Sequence, residues 1–120
     1  MTVCAVRARS YDEFEVRNAL SKGMALMGLP ENNPFSFLIK PGDRVFIKPN
    51  WVAHQYRLSC PKQHDLYTTI THPSLIKEVS RLVDEALKGD GLIMIGDNPS
   101  IDADFESLLE KTQIESLSKE

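Results

Sequence analysis

Six residues in three short segments carry groups that could recognise or transform a small molecule. Lys48 and Asn50 lie in Lys48-Pro49-Asn50, Thr69, Thr71 and His72 in Thr68-Thr69-Ile70-Thr71-His72-Pro73, and Asp97 in Gly96-Asp97-Asn98-Pro99. A lysine offers a full positive charge to a phosphate or carboxylate. An asparagine both donates and accepts and so fixes orientation, and an aspartate can hold a ribose hydroxyl, a cation or a proton. Threonine hydroxyls ahead of a helix start would stand beside free backbone amides and a partial positive charge. His72 is of a type that titrates near neutral pH. Together these groups suit an anion. Each also has a plain structural alternative. Lys48 can extend its head into water past a strand end, Pro49-Asn50 and Asp97-Asn98-Pro99 are strong turn chemistry, and Thr71 or His72 can cap a helix, Thr71 being the expected cap. What marks the set is that three segments point at one edge.

The elements that must position these groups follow from periodicity. Residues 3–8 are short, apolar and β-favouring, and over 10–28 Phe14, Val16, Leu20, Met24 and Met27 recur near helical spacing. Ser10 with Glu13 fits a capping box, while Gly28 and Pro30 supply a stop. Turn residues over 31–43 return the chain to an apolar strand over 44–48. The clearest helix is 73–88: Leu75, Ile76, Val79, Leu82, Val83, Ala86 and Leu87 form a stripe opposite Lys77, Glu78, Arg81, Asp84 and Glu85. Pro73 suits its first turn and Gly89 its end. An uninterrupted apolar run over 92–95 reads as a strand covered by helices, and 104–117 as a weaker helix. The order β-α-β-α-β-α predicts a three-layer Rossmann-like unit with a small, mostly parallel sheet. In such sheets ligands collect beyond the carboxyl ends of the strands, where both Lys48-Pro49-Asn50 and Gly96-Asp97 fall.

Composition narrows the class. The chain has 120 residues, 42% apolar and 26% charged, enough for one α/β domain over 1–112 with a polar tail over 113–120. Fourteen basic against seventeen acidic residues argue against nucleic acid as the main partner. No apolar run has the length of a membrane span or the form of a signal peptide, and the two cysteines do not make a disulfide framework, so a cytoplasmic protein with reduced thiols is expected. The stretch 51–72 holds Trp51, His54, Tyr56, Arg57, Cys60, His64, Asp65 and Tyr67 and reads as a lid, a binding loop or a disordered excursion. His54, Cys60 and His64 match no strong paired-ligand spacing, so no metal site is expected. The sequence contains no dinucleotide-binding glycine motif, Walker loop or nucleophile elbow.

The sequence resembles the amino-terminal part of a prokaryotic family called domain of unknown function 362, some members of which occur with ferredoxin-type iron-sulphur modules. The likeness spans most of the chain. It rests on 3–7 followed by Tyr11-Asp12, on 42–50 ending in Lys48-Pro49-Asn50, on Thr69 with Thr71-His72-Pro73, and on Ile95-Gly96-Asp97. The 51–67 stretch has no counterpart in the family pattern. Because family members are longer, the resemblance implies the ligand-binding first portion of an iron-sulphur-associated enzyme in a redox setting. Two cysteines cannot build a four-cysteine cluster, so any cluster would belong to a longer parent protein and no cofactor is expected in this chain alone. The alternative is a non-catalytic binding or assembly module for an anionic small molecule or a protein partner, which would be the remainder of a longer chain or a second copy.

Overall fold

The computed structural model describes residues 3–53, 66–100 and 103–119. It is a small mixed α/β fold with three helices and a two-stranded parallel sheet. The helices are α1 (Glu13–Leu26), α2 (Pro73–Leu87) and α3 (Phe105–Thr112), and the strands are β1 (Arg44–Ile47) and β2 (Leu92–Ile95).

Helix α1 starts two residues later than the capping box suggests. Asp12, not Ser10, is the N-cap, its Oδ1 accepting from the amide of Phe14 at 3.0 Å, while Ser10 Oγ accepts from the amide of Asp12. At the other end the amides of Gly28 and Leu29 bond back to the carbonyls of Ala25 and Met24, a paired closure that needs the left-handed φ of 76° at Gly28.

The expected strand over 3–8 does not join the sheet. Cys4 and Val6 touch α1 instead: the thiol of Cys4 donates to the carbonyl of Gly23, and a Cβ at Gly23 would stand 3.4 Å from Val6, while Val3 remains exposed. A short apolar run can rest against a helix instead of pairing in a sheet, and the missing side chain at Gly23 gives Cys4 and Val6 room to approach.

β1 and β2 pair in register Arg44↔Leu92 through Ile47↔Ile95, with α2 as the crossover between them. Entry to the second strand is tight. Gly91 has φ 152°, and a Cβ there would lie 2.6 Å from the carbonyl oxygen of Asp43, which accepts from the amide of Leu92. Val45, Ile47 and Ile93 pack under α2 against Ile39, Val79, Val83, Ala86 and Leu87. On the opposite sheet face Phe46 is 58% exposed and Leu92 is exposed too.

A second core cluster joins Trp51, Ile70, Ile76, Leu108 and Ile114. Each such side chain contributes roughly 1.5–3 kcal/mol on burial. Helix α3 is capped by Asp104 and delivers the fully buried Leu108 to this cluster. After Gln113 turns left-handed at φ 51°, a 3-10 turn over Ile114–Lys119 returns Ile114 and Leu117 to the same cluster, so the segment expected as a polar tail is packed through Leu117. No helix among the described residues is long and apolar enough to cross a membrane.

Candidate functional site

The three segments meet at the carboxyl ends of the two strands. Lys48 follows β1 directly and Asp97 stands two residues beyond β2, so parallel pairing brings them side by side, with Nζ of Lys48 2.6 Å from Oδ1 of Asp97. The pair is asymmetric: the Lys48 side chain is 64% exposed and that of Asp97 4%. Asp97 is fixed from three directions. Its Oδ2 accepts from the amide of Trp51 at 2.7 Å, and its Oδ1 also accepts from the amide of Asn98 at 2.8 Å. Burial pushes the Asp97 carboxyl up. The hydrogen bond from Lys48, the amides of Trp51 and Asn98, and the Lys48 charge outweigh that burial and hold it below the usual aspartate value.

Asn50, Thr69 and Thr71 form the second half of the cluster. The amide of Asn50 donates to Oγ1 of Thr71 and its carbonyl accepts from the amide of Thr71, both at 2.9 Å, while Nδ2 donates to the carbonyl of Thr69 at 3.0 Å. Thr71 therefore braces the strand end and does not cap the helix.

The cap of α2 is His72. Its Nδ1 accepts from the amide of Ser74 at 3.1 Å, and the amides of Leu75 and Ile76 bond to its carbonyl. With proline at the first helical position, the first-turn amides are already used, so the free donors expected at this helix start are not present. The imidazole stacks on Tyr11, ring centroids 4.1 Å apart and planes at 6°, with Tyr67 tilted against it at 4.2 Å. His72 lines a separate groove with Tyr11, Asp12 and Gln113.

Five of the six expected residues, Lys48, Asn50, Thr69, Thr71 and Asp97, thus belong to one hydrogen-bonded edge, and His72 sits around the corner from it. The arrangement supplies one accessible cation on a fixed support. Asp97 spends both oxygens on protein donors, so in this structure it orients Lys48 and the amide of Trp51.

Trp51 is the residue of this edge that sequence reasoning misplaced. Part of a stretch expected as a lid, a binding loop or a disordered excursion, it is 1% exposed in the core beneath Asp97, its ring centroid 6.1 Å from that of Phe105. Its indole Nε1 is buried without a hydrogen-bond partner among the described residues. Leu66–Thr68 at the far end of the same stretch forms a 3-10 turn with Leu66 and Tyr67 against the core. His54, Tyr56, Arg57, Cys60, His64 and Asp65 lie outside the described residues.

A charged cluster elsewhere was also missed. Glu78, expected on the solvent face of α2, is 8% exposed because α1 packs over it. It accepts from Nε of Arg17 at 3.1 Å and from the fork of Arg81, Nη2 at 2.8 Å and Nε at 3.0 Å. Burial pushes the Glu78 carboxyl up, but the hydrogen bonds and charges of Arg81 and Arg17 prevail and hold it below the ordinary glutamate value. Only the i, i+3 spacing of Glu78 and Arg81 on one helix was available as a signal.

No protein-family model matches the sequence, and no curated protein or solved structure matches it either.

Proposed function

We propose that the carboxyl edge of β1 and β2 is a binding site for an anionic small molecule, with Lys48 as the ligand contact and Asp97, Asn50, Thr69 and Thr71 as the groups that hold it in place. The observation that carries this is the asymmetry of the Lys48–Asp97 pair. A buried, triply bonded carboxylate fixes an ammonium that remains two-thirds open to solvent. Holding a long side chain in one rotamer removes part of the ordering cost a ligand would otherwise meet. His72 contributes through the start of α2 and not by direct contact.

The chain acts as the binding portion of a larger assembly, as the resemblance to the domain of unknown function 362 family implies, with any iron-sulphur chemistry located in other parts of that assembly. The complete three-layer Rossmann-like sheet belongs to the same proposal. Parallel sheets are covered on both faces, and here Phe46 and Leu92 lie open on one of them. The non-catalytic alternative draws support from Asp97, the carboxylate beside Lys48, both of whose oxygens already accept from protein donors among the described residues.

Trp51 is the only tryptophan and its amide is bonded to Asp97, so its emission reports on the site. Titration with inorganic phosphate and with acetate should give a saturable change in that emission, abolished in Lys48→Met. Absence of any saturable change with either anion, or an unchanged response in Lys48→Met, would refute the proposal.

A further inference from the structure

The groove between α1 and α2, which none of the strand-end residues lines, has the makings of a second ligand site. It encloses about 380 Å³ and is lined by both helices with Ile93 of β2 and Leu117. Its polar wall carries Arg17, Lys77 and Arg81 against Glu13, Glu78 and Asp84. Most of these charges are matched. Lys77 meets Glu13 at 3.0 Å, and Arg81 spends its fork on Glu78 and its remaining Nη1 on Glu85 at 3.3 Å.

Arg17 is the exception. It gives only Nε to Glu78, and its two Nη atoms have no hydrogen-bond partner among the described residues. A guanidinium anchored through Nε by a buried carboxylate presents its terminal pair of nitrogens as a preset fork, the geometry that fits a carboxylate with two parallel hydrogen bonds. Arg81 already satisfies Glu78 bidentately, so the second guanidinium is in excess of what the buried acid needs.

We infer that this groove binds a monocarboxylate with an apolar body, the carboxylate on the Nη edge of Arg17 and the apolar part against Ile93 and Leu117. Charge selects a monoanion over a polyanion. Three cations and three carboxylates share the wall, so a phosphate with two charges would gain little net attraction and would meet Asp84, which has no ion-pair partner among the described residues.

The test is an amide NMR titration of the 120-residue chain with hexanoate, with hexanol and inorganic phosphate as controls. Hexanoate should shift Arg17, Ser80, Ile93 and Leu117 saturably, and neither control should do so at equal concentration. Arg17→Gln, which leaves the Arg81–Glu78 fork intact, should weaken hexanoate about tenfold. Asp84→Asn removes a repelling rim charge and should tighten it about twofold. The inference is overturned if hexanoate gives no saturable shift in the groove, if phosphate shifts those residues equally, if Arg17→Gln binds as the parent does while its urea transition remains cooperative, or if Asp84→Asn weakens binding. Phosphate shifting the Lys48 edge while hexanoate leaves the groove untouched would sink this inference alone and leave the strand-end site standing.

Discussion

Nζ of Lys48 and Oδ1 of Asp97 stand 2.6 Å apart, yet the two residues depend on the contact unequally, because Asp97 is buried and also holds the amide of Trp51 whereas Lys48 is mostly in water. Asp97→Ala should therefore cost about 2–3 kcal/mol, since it strands a buried amide and removes charge-assisted bonds. Lys48→Met should cost about 0–1 kcal/mol, as for an exposed ion pair. Urea unfolding of the two variants measures the difference, and equal losses would show that the pair is not asymmetric in energy.

Acid should destabilise the fold through two carboxyls. Asp97 and Glu78 both titrate below their ordinary values when folded, because hydrogen bonds and positive charges outweigh burial. A group that is a stronger acid in the folded chain contributes stability above its unfolded pKa, and that contribution is lost as pH falls through the folded pKa. With unfolded values near 4 for both types, these groups should add no slope from roughly pH 6 to 8 and should drive a loss of stability below about pH 4.5. The acid limb of stability against pH should flatten in Glu78→Gln and in Asp97→Asn. A limb of unchanged steepness in both would assign it to other groups.

Gly91→Ala should be among the most damaging single-methyl changes in the chain. The added Cβ would meet the Asp43 carbonyl at 2.6 Å and Leu87 Cδ2 at 2.7 Å, on a backbone with φ 152°. Overpacking and backbone strain together should lower stability by about 2–4 kcal/mol. Gly28→Ala meets no atom within 4 Å and should cost only its φ penalty, about 1 kcal/mol. Thermal unfolding of the pair separates crowding from strain, and equal losses would remove the crowding term.

Asn50 and Thr71 should be coupled. They exchange a backbone hydrogen bond, and the Asn50 amide also donates to Thr71 Oγ1. Thr71→Val keeps the shape and removes the acceptor, at an expected cost of about 1–2 kcal/mol. Asn50→Ala should cost a similar amount through the lost Nδ2 bond to Thr69, and the two losses should be non-additive by at least about 0.5 kcal/mol in a double-mutant cycle. Strict additivity would mean that the segments do not act as one unit.

The elements with strong local signals were legible in the residues. Helix α2 has both a long apolar stripe and end signals, and β2 is a short apolar run between Gly91 and Gly96, so their bounds could be read to within a residue. The meeting of Lys48 with Asp97 was legible for a topological reason, since parallel strands joined by a helix must place their carboxyl ends together. Residues 3–8 were not, because a β-branched run carries no record of its partner and Gly23 of α1 offered a competing surface. Glu78 and Trp51 were misread for the same cause. Whether a helix face or a loop residue is covered depends on elements far away in sequence, α1 over Glu78 and α3 over Trp51. The capping of α2 by His72 instead of Thr71 turned on a one-residue shift that propensity cannot resolve.

The most direct test of the strand-end site is the ¹⁵Nζ resonance of Lys48, followed by NMR while inorganic phosphate is added to the intact chain. A saturable shift at Lys48, accompanied by shifts at the amides of Trp51 and Asn98 and larger than at any other lysine, is the expected result. A Lys48 signal that moves no more than those of the other lysines would contradict the site.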